Sequence, residues 1–426
     1  MSPWRSVWVD YREAASRFSR PARHYLLGEL LAWTALGVFQ VLFNLYLVER
    51  HFQAGFIGRA VSFHGIGMAI SALPAGLLAE RWGRRRTLIL GAFLDGIGLA
   101  SRVLLPLPAF ILGAGLVSGS GQAFLAIAAA PFLTEHSTPR ERTHLFSAFF
   151  ANSLLAGVVG SLLGGWLPGV VLALPLTPRP NAELAYRVTL LFAASLALFS
   201  ATPLMRLGDL KEERISSSRN RVSKSDYRKL FPITLNALLI GMGAGLVIPF
   251  MNLYFATRFH STSGQIGVLF SIMQVSTALA SLLGPAIARR FGKLRTATSS
   301  ELLSLPFLVT LGAETHLAVA AGAFWIRGAL MQAAAPLLQA FVMESLPSAL
   351  RPRASSLINM VWNVGWALSA TLAGMVIEHF GYAVPFYITA ALYGTAASTM
   401  YFAFRGTPET QAPADEAPIQ PEPAPE

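Results

Sequence analysis

Cysteine is absent from this chain and charged residues are scarce. Without a thiol the protein has no disulfide, no thiolate metal site and no cysteine nucleophile. Only 13% of the 426 residues are Asp, Glu, Lys or Arg, and 54% are apolar, whereas about a quarter of the residues in soluble domains are charged. Too few polar groups remain to cover a soluble surface, so the composition indicates that lipid is the solvent for much of the chain.

Motifs of catalysis and of nucleotide binding are missing as well. The sequence has no H-E-x-x-H helix, no G-x-S-x-G turn, no Walker A loop and no paired aspartates within an apolar run. These motifs mark zinc proteases, hydrolases and nucleotide-driven pumps. We therefore predict a protein that is not an enzyme and that has neither a metal nor a cofactor.

Long apolar runs dominate what is present. Stretches of about 17 to 25 mostly apolar residues are long enough to cross a bilayer as helices, and the first is too long for a signal peptide. The sequence predicts twelve spans, which start near Tyr25, Ile57, Thr87, Ala109, Leu145, Tyr186, Pro232, Gly264, Thr296, His316, Ala354 and Tyr382.

The basic residues are distributed unevenly between these spans. The amino-terminal tail, the even-numbered loops and Arg405 hold 26 Lys and Arg, whereas the odd-numbered loops hold four and the spans three. The positive-inside rule then places both termini in the cytoplasm of a multi-pass protein of the cell (plasma or inner) membrane. Because this rule explains the net charge of +11, we do not expect a nucleic-acid partner.

The same distribution predicts the domain boundaries. One long loop, rich in Ser, Arg and Lys, falls at the midpoint of the chain and is typical of an interdomain linker. We expect a cytoplasmic amino-terminal segment at 1–24, a six-helix bundle at 25–206, the cytoplasmic linker at 207–230, a second bundle at 231–405 and a disordered, Pro-rich and Glu-rich tail at 406–426.

The second half of the chain repeats the first at an offset of 208 to 211 residues. Chance does not explain an ordered series of polar and charged matches, and repeats of this kind occur in transporters whose binding site lies near the midplane between the halves. The matches include Asn44-Leu45-Tyr46 with Asn252-Leu253-Tyr254, Gly58 with Gly267, Gly83 with Gly292, Thr87 with Thr296 and Glu135 with Glu344.

The loop after the second span carries a specific motif. The eleven residues from Gly76 read G-L-L-A-E-R-W-G-R-R-R, which resembles the major facilitator superfamily signature G-x-L-A-D-R-x-G-R-R, with Glu80 in place of the Asp. The resemblance covers essentially the whole ordered chain. It implies an all-α membrane protein of twelve transmembrane helices in two pseudo-symmetric six-helix bundles, which transports by alternating access. We expect a monomer.

By the same resemblance this loop latches the two bundles together in one state. The acidic residue would then pair with Arg142 or Arg353, near the starts of spans five and eleven. The alternative is a solvated basic loop with no conformational role. The predicted gating residues are Gly76, Glu80, Arg81, Gly83, Arg84, Arg142 and Arg353.

Span five holds four glycines, Gly157, Gly160, Gly164 and Gly165, similar to the motif associated with exporters of the superfamily. Ser161 stands where that motif has Pro, and Gly160 with Gly164 equally fits a small-xxx-small helix contact. The resemblance favours efflux over uptake.

Polar residues in the spans are the candidates for substrate contact. The resemblance implies that spans one, four, seven and ten line a central cavity, and span eleven has a polar and aromatic face. Each residue has an alternative role as an interhelical hydrogen bond. The predicted cavity residues are Gln40, Asn44, Tyr46, Gln122, Asn252, Tyr254, Gln332, Gln339, Asn359 and Asn363.

Charges inside a bilayer usually face a cavity or a partner. Arg102 follows Asp95 by seven residues and lies close to the same helical face. Asp95 therefore either pairs with Arg102 or carries a proton. His64 is a titratable candidate or a packing residue, and Arg327 either binds an anionic group or extends to the interface. Asp95, His64 and Arg327 are therefore the candidates for coupling.

Together these features predict a secondary active transporter of a small amphipathic molecule, with proton-coupled efflux and with protons and membrane lipids as its other partners. The first alternative is uptake or flipping of a metabolite or lipid by the same fold. A more distant one is a membrane receptor that does not transport.

Overall fold

The computed structural model describes residues 18–174, 181–207, 224–347 and 350–406, and in these ranges the chain is helical with no strand. A helix satisfies its own backbone polar groups, which lipid leaves without partners. The side chains of residues 139, 140, 143, 224–228, 352 and 353 are outside the description. So are most of the predicted segments at 1–24, 207–230 and 406–426.

The amino-terminal bundle contains six spans in the described ranges. Each begins within about six residues of its predicted start, because the helices continue beyond their apolar stretch into polar residues at the membrane surface. The spans are α1 (Arg20–Glu49), α2 (Ala54–Trp82), α3 (Arg84–Leu104), α4 (Pro108–Glu135), α5 (Pro139–Ala173) and α6 (Ala182–Phe199, continued by Ala201–Met205).

The carboxyl-terminal bundle repeats this order, with two broken helices. A short 3₁₀ segment around Pro249 interrupts α7, and α9 breaks at Ser304, two residues before Pro306; proline disturbs a helix because it lacks the N–H donor. The spans are α7 (Lys224–Val247, Ile248–Phe250 and Met251–Phe259), α8 (Ser263–Phe291), α9 (Lys293–Leu303 and Leu305–Ala313), α10 (Leu317–Ser345), α11 (Arg351–Phe380) and α12 (Ala383–Phe404).

Ten of the twelve spans in the described residues have both the length and the hydropathy of a membrane-crossing helix. The other two are α9, which is broken, and α12, in which tyrosine, threonine, serine and glycine lower the mean hydropathy. Both pack inside the bundle with the other spans. The predicted fold class is confirmed.

The two bundles repeat each other in detail. The Tyr46 hydroxyl donates to the carbonyl of Val103, and 208 residues later Tyr254 donates to Leu311. His51, two residues after the end of α1, and His260, directly after the last segment of α7, both adopt positive φ. The internal repeat read from the sequence is therefore a repeat of structure.

One face of the protein, which we call the basic side, carries the α2–α3, α4–α5, α8–α9 and α10–α11 loops and the described chain ends. On this side Arg84 pairs with Glu135 in the first bundle, and Lys293 pairs with Glu344 in the second. Each pair joins the start of the third span of its bundle to the end of the fourth. The face that carries the α1–α2 and α7–α8 loops is the opposite side.

The reversals from α2 to α3 and from α8 to α9 each depend on a single glycine. Gly83 has φ of 88° and Gly292 has φ of 89°, a region in which a Cβ atom is strained. An added Cβ at Gly83 would have no atom within 4 Å. The strain at this position is therefore conformational and not steric crowding.

Replacing Gly83→Ala should lower the stability of the purified protein by about 1 kcal/mol, because alanine disfavours this backbone conformation. Gly113→Ala is the matched control, since its Cβ also has no atom within 4 Å and its backbone is helical. Thermal unfolding in detergent measures the difference. Equal melting temperatures for the two variants would contradict the assignment of strain to Gly83.

Candidate functional site: a cavity open on one side

Two asparagines join the bundles where α1 crosses α7. The side-chain amide of Asn44 donates to the Pro249 carbonyl at 2.6 Å and to the Asn252 side chain at 3.1 Å. The amide of Asn252 donates in return to the carbonyls of Val41 at 3.0 Å and Gln40 at 3.1 Å. Asn44 and Val41 occupy the positions equivalent to Asn252 and Pro249, so this exchange follows the pseudo-twofold axis.

Paired glycines bring the backbones of the two bundles together on either side of this exchange. A Cβ on Gly58 of α2 would lie 2.4 Å from the Ala370 carbonyl of α11, and one on Gly374 would lie 2.3 Å from Ala54. The equivalent contact joins Gly165 of α5 to Gly267 of α8. Small residues allow such approach, which drives helix association in lipid.

Hydroxyl groups extend these contacts only as far as the middle of the membrane. Ser62 donates to the Ala367 carbonyl between α2 and α11, and Ser271 donates to Val158 between α8 and α5 at 3.2 Å. Beyond Gln274, which meets Gly157, no hydrogen bond or ion pair between two residues with described side chains joins the bundles toward the basic side. The protein is closed on the opposite side and open on the basic side.

A cavity of about 680 Å³ occupies this opening. It reaches from Met251 and Phe324 near the closed contact to Met343 and Ser355 at the basic ends of α10 and α11. Of the predicted cavity residues, Gln40, Gln332, Gln339 and Asn359 lie in its wall.

The cavity wall belongs almost entirely to the second bundle, since Gln40 is its only lining residue from the first among those described. Apolar side chains dominate, with five methionines and Trp362, and amides are spaced among them. Methionine adapts to ligands of different shape. The wall therefore suits an amphipathic molecule. The amide and hydroxyl groups are those of Gln40, Asn236, Gln274, Thr277, Gln332, Gln339, Ser355, Asn359 and Tyr393.

The other predicted cavity residues lie elsewhere in this state. Tyr46 and Tyr254 are buried braces within their bundles, and Asn44 and Asn252 form the interbundle exchange. Asn363 donates to the Asn359 carbonyl of its own helix. Their role in substrate contact stays a prediction.

Gln122 and His64 belong to a polar cluster between α2 and α4. The two nitrogens of the His64 ring lie 3.0 Å from the Ser118 hydroxyl and 3.3 Å from the Gln122 amide oxygen. The three groups satisfy one another and do not line the cavity. The packing alternative for His64 agrees with this arrangement.

Asp95 and Arg102 lie inside the first bundle, away from the cavity. Both are almost fully buried, and their charged groups are more than 4.0 Å apart. The Arg102 guanidinium lies 3.9 Å from the centre of the Phe43 ring and donates to the Ala60 carbonyl at 3.3 Å. Aromatic and carbonyl contacts thus partly compensate the buried cation.

Two residues that carry a formal charge at neutral pH in water do lie in the cavity wall: Arg327 of α10, a predicted coupling residue, and Glu301 of α9. Glu301 is 3% exposed, and its Oε2 atom has no hydrogen-bond partner. The sequence does contain a signal for it, because Glu301 is an acidic residue within the predicted ninth span.

The predicted latch between Glu80 and Arg142 or Arg353 stays a prediction. Glu80 and Arg81 are exposed on the basic side, and Glu80 makes no ion pair with the described residues. Arg142 donates to the Thr134 carbonyl at 3.3 Å, within its own bundle, and the Arg353 side chain lies outside the described residues. Arg84 binds Glu135, and Gly76 is a helical residue of α2.

The family model of the Major Facilitator Superfamily matches residues 25–231 and 233–425, one segment for each bundle. The chain belongs to this superfamily. A relative, the MFS-type transporter YcaD of Escherichia coli (strain SMS-3-5), is 23% identical over 368 residues, which span 86% of this chain and 91% of the relative. Members of the superfamily are transporters of small molecules and not enzymes.

Solved structures show the same fold. The nucleoside transporter NupG is 16% identical, with a TM-score of 0.71 over 91% of this chain and 100% of that one. A bacterial homologue of the human lysosomal transporter Spinster, in an inward-facing and occupied state, is 15% identical, with a TM-score of 0.73 over 90% of this chain and 96% of that one. At these identities the likeness concerns the fold alone.

Because the asparagine exchange holds the opposite side closed, Asn252→Ala should open it. Asn252→Ala removes three hydrogen bonds between the bundles, which join its side chain to Gln40, Val41 and Asn44. At about 0.6 kcal/mol for each interhelical bond in a membrane, their loss should raise the open fraction about 20-fold. The chain has no cysteine, so a membrane-impermeant maleimide applied to whole cells reports on Ala370→Cys, a fully buried site between α2 and α11.

Asn363→Ala is the control for this experiment, since it removes an amide that bonds only within α11. It should leave the labelling rate of Ala370→Cys unchanged. If Asn252→Ala labels no faster than this control, the exchange does not hold the gate.

Proposed function

We propose that the protein is a secondary active transporter that moves a small amphipathic molecule across the inner membrane by alternating access. The observation that carries this proposal is the cavity of about 680 Å³, closed on one side by contacts between the bundles and open on the other. Rocking two repeats about a shared site is the expected cycle of such folds. The positive-inside rule supports a cytoplasmic basic side, which makes this state inward-open.

The proposed direction is export. In the inward-open state an apolar, methionine-rich wall is available to cargo that arrives from the cytoplasm or the inner leaflet. The glycines of α5 support a mobile contact: Gly160 and Gly164 pack on α1, whereas Gly157 and Gly165 meet α8 across the bundle interface. Uptake or flipping by the same fold is the competing function.

The proposed driving force is proton exchange, with Glu301 as the proton-carrying group. A residue that couples proton movement to transport has to lie in the substrate cavity. There the proton and the cargo bind in competition or in turn. Glu301 meets this requirement because it lines the cavity, and Asp95 does not in this state. A buried carboxylate without a hydrogen-bond donor is also costly in its charged form.

Proteoliposomes test the transport and coupling claims. Wild-type protein should drive uptake of amphipathic fluorescent dyes when a pH gradient is imposed, and an ionophore that collapses the gradient should abolish this uptake. Glu301→Gln should leave dye movement down its own gradient intact but insensitive to pH. Asp95→Asn, with folding checked by its melting temperature, should keep the pH dependence.

Three results would overturn parts of this proposal. Wild-type flux that persists without the gradient removes proton coupling. Loss of pH dependence in Asp95→Asn but not in Glu301→Gln moves the proton site into the first bundle. Dye binding without any flux favours a receptor over a transporter.

A further inference from the structure

Arg327 is a cation in the wall of the cavity, and Tyr393 is its only hydrogen-bond partner among the described residues. Arg327 lies in α10, ten residues after the start of that span, and is 4% exposed. Its Nη2 atom donates to the Tyr393 hydroxyl at 3.1 Å, and its Nε atom has no acceptor. A guanidinium has five N–H donors and does not lose its charge, so most of its capacity is unused.

No carboxylate among the described residues lies within 4.0 Å of this guanidinium. A charge within the membrane costs about 2.5 to 3.5 kcal/mol on insertion scales and is normally paired or hydrated. The Tyr393 ring, with its centroid 5.6 Å from the guanidinium carbon, compensates only part of that charge. Arg327 therefore has no described counter-ion, although a charge within the membrane is normally paired.

Glu301 also lines the cavity, but it lies at a different height along the helix axes from Arg327. The Ser304 hydroxyl meets the sulfur of Met331 at 3.4 Å, which aligns α9 with the antiparallel α10. From this level Glu301 is three residues toward the basic side and Arg327 four residues toward the opposite side. At 1.5 Å per residue their backbones are about 10 Å apart along the helix axes. The geometry leaves the Arg327 site unneutralised.

The surroundings of Arg327 are apolar. A Cβ on the neighbouring Gly328 would meet Met273, and Phe324 lies about one turn before Arg327. A ligand that reaches the guanidinium therefore contacts sulfur and ring atoms with the rest of its body. A small polar anion would lose its hydration here without gaining apolar contact.

We propose that Arg327 binds an anionic group, such as a carboxylate, of an amphipathic cargo whose apolar body packs on Phe324, Met273 and Met331. This site adds the charge of the transported molecule to the proposed function. That the bound anion is transported rests on the proposed function, whereas its binding at Arg327 does not. Met273 packs closely on Gly328 beside Arg327, and the hydrogen bond to Tyr393 orients the guanidinium. Glu301, further toward the basic side, disfavours a second negative charge on the same molecule.

Ligand-induced thermal stabilisation of the purified full-length protein tests this site. The probes are aryl-alkyl carboxylates, indole-3-propionate and 4-phenylbutyrate among them, each matched with its neutral amide and its amine. In wild type the carboxylates should stabilise at concentrations at least 10-fold lower than the amides, since a charge-assisted hydrogen bond contributes a factor of this size. The amines should stabilise least.

Arg327→Gln should abolish the difference between carboxylate and amide, whereas Arg327→Lys should keep part of it. Arg258→Gln is the matched control, because it removes an exposed arginine outside the cavity. Glu301→Gln should keep or increase the carboxylate preference. The melting temperature without ligand shows whether each variant is folded.

Carboxylates that stabilise wild type no better than their amides, including no stabilisation by either, overturn the proposal. So does a carboxylate preference that survives in Arg327→Gln. If Glu301→Gln removes the preference as Arg327→Gln does, the two residues are partners of each other and not a ligand site. Binding in detergent needs no transport, so carboxylate binding without flux would remove the proposed function and leave the anion site standing.

Discussion

The rest of the structure depends on the contact between the two bundles that closes the protein on one side of the membrane. Lipid tails are as apolar as leucine, so no hydrophobic driving force holds one bundle against the other. The contact relies instead on close backbone packing at Gly58 with Gly374 and at Gly165 with Gly267, and on the Asn44–Asn252 exchange. Because these contacts end near the midplane, the bundles diverge below it and a cavity results.

The features that obey the pseudo-twofold axis are those of scaffold and closure. They include the glycine turns, the tyrosine braces and the ion pairs of the basic side. The ionisable groups of the cavity do not obey it. At the 209-residue offset Arg327 corresponds to Ser118 and Glu301 corresponds to Ala92. The repeated positions therefore belong to the scaffold and the closed contact, whereas Arg327 and Glu301 are specific to the second bundle.

Much of the fold can be predicted from the sequence because the lipid bilayer requires long apolar helices. Apolar runs of membrane length, the bias of basic residues and the repeat predict twelve spans in two bundles, and the structure and family confirm this. The ends of the spans differ, since helices such as α5 and α7 continue into polar surface residues that hydropathy assigns to loops. The breaks in α7 and α9 fall near prolines within or beside the apolar runs.

The site is less predictable, because periodicity does not fix the rotation of a helix about its axis. Tyr46 and Tyr254 draw attention as polar residues in a repeated motif, yet the repetition reflects their role as braces. Gln332, Gln339 and Asn359 do face the cavity. Whether a polar side chain meets cargo or a neighbouring carbonyl depends on contacts between helices that are far apart in the sequence, such as Tyr46 of α1 with Val103 of α3.

The placement of the cavity wall in one bundle has a consequence for how the cycle is driven. A ligand shifts a conformational equilibrium only through a difference in its affinity for the two states. Since Gln40 alone among the described residues of the first bundle borders the cavity, a molecule held by the second bundle gains little in this state from bringing the first one closer. Under the proposed alternating-access cycle, release on the far side then requires contacts with the first bundle that form only in another conformation.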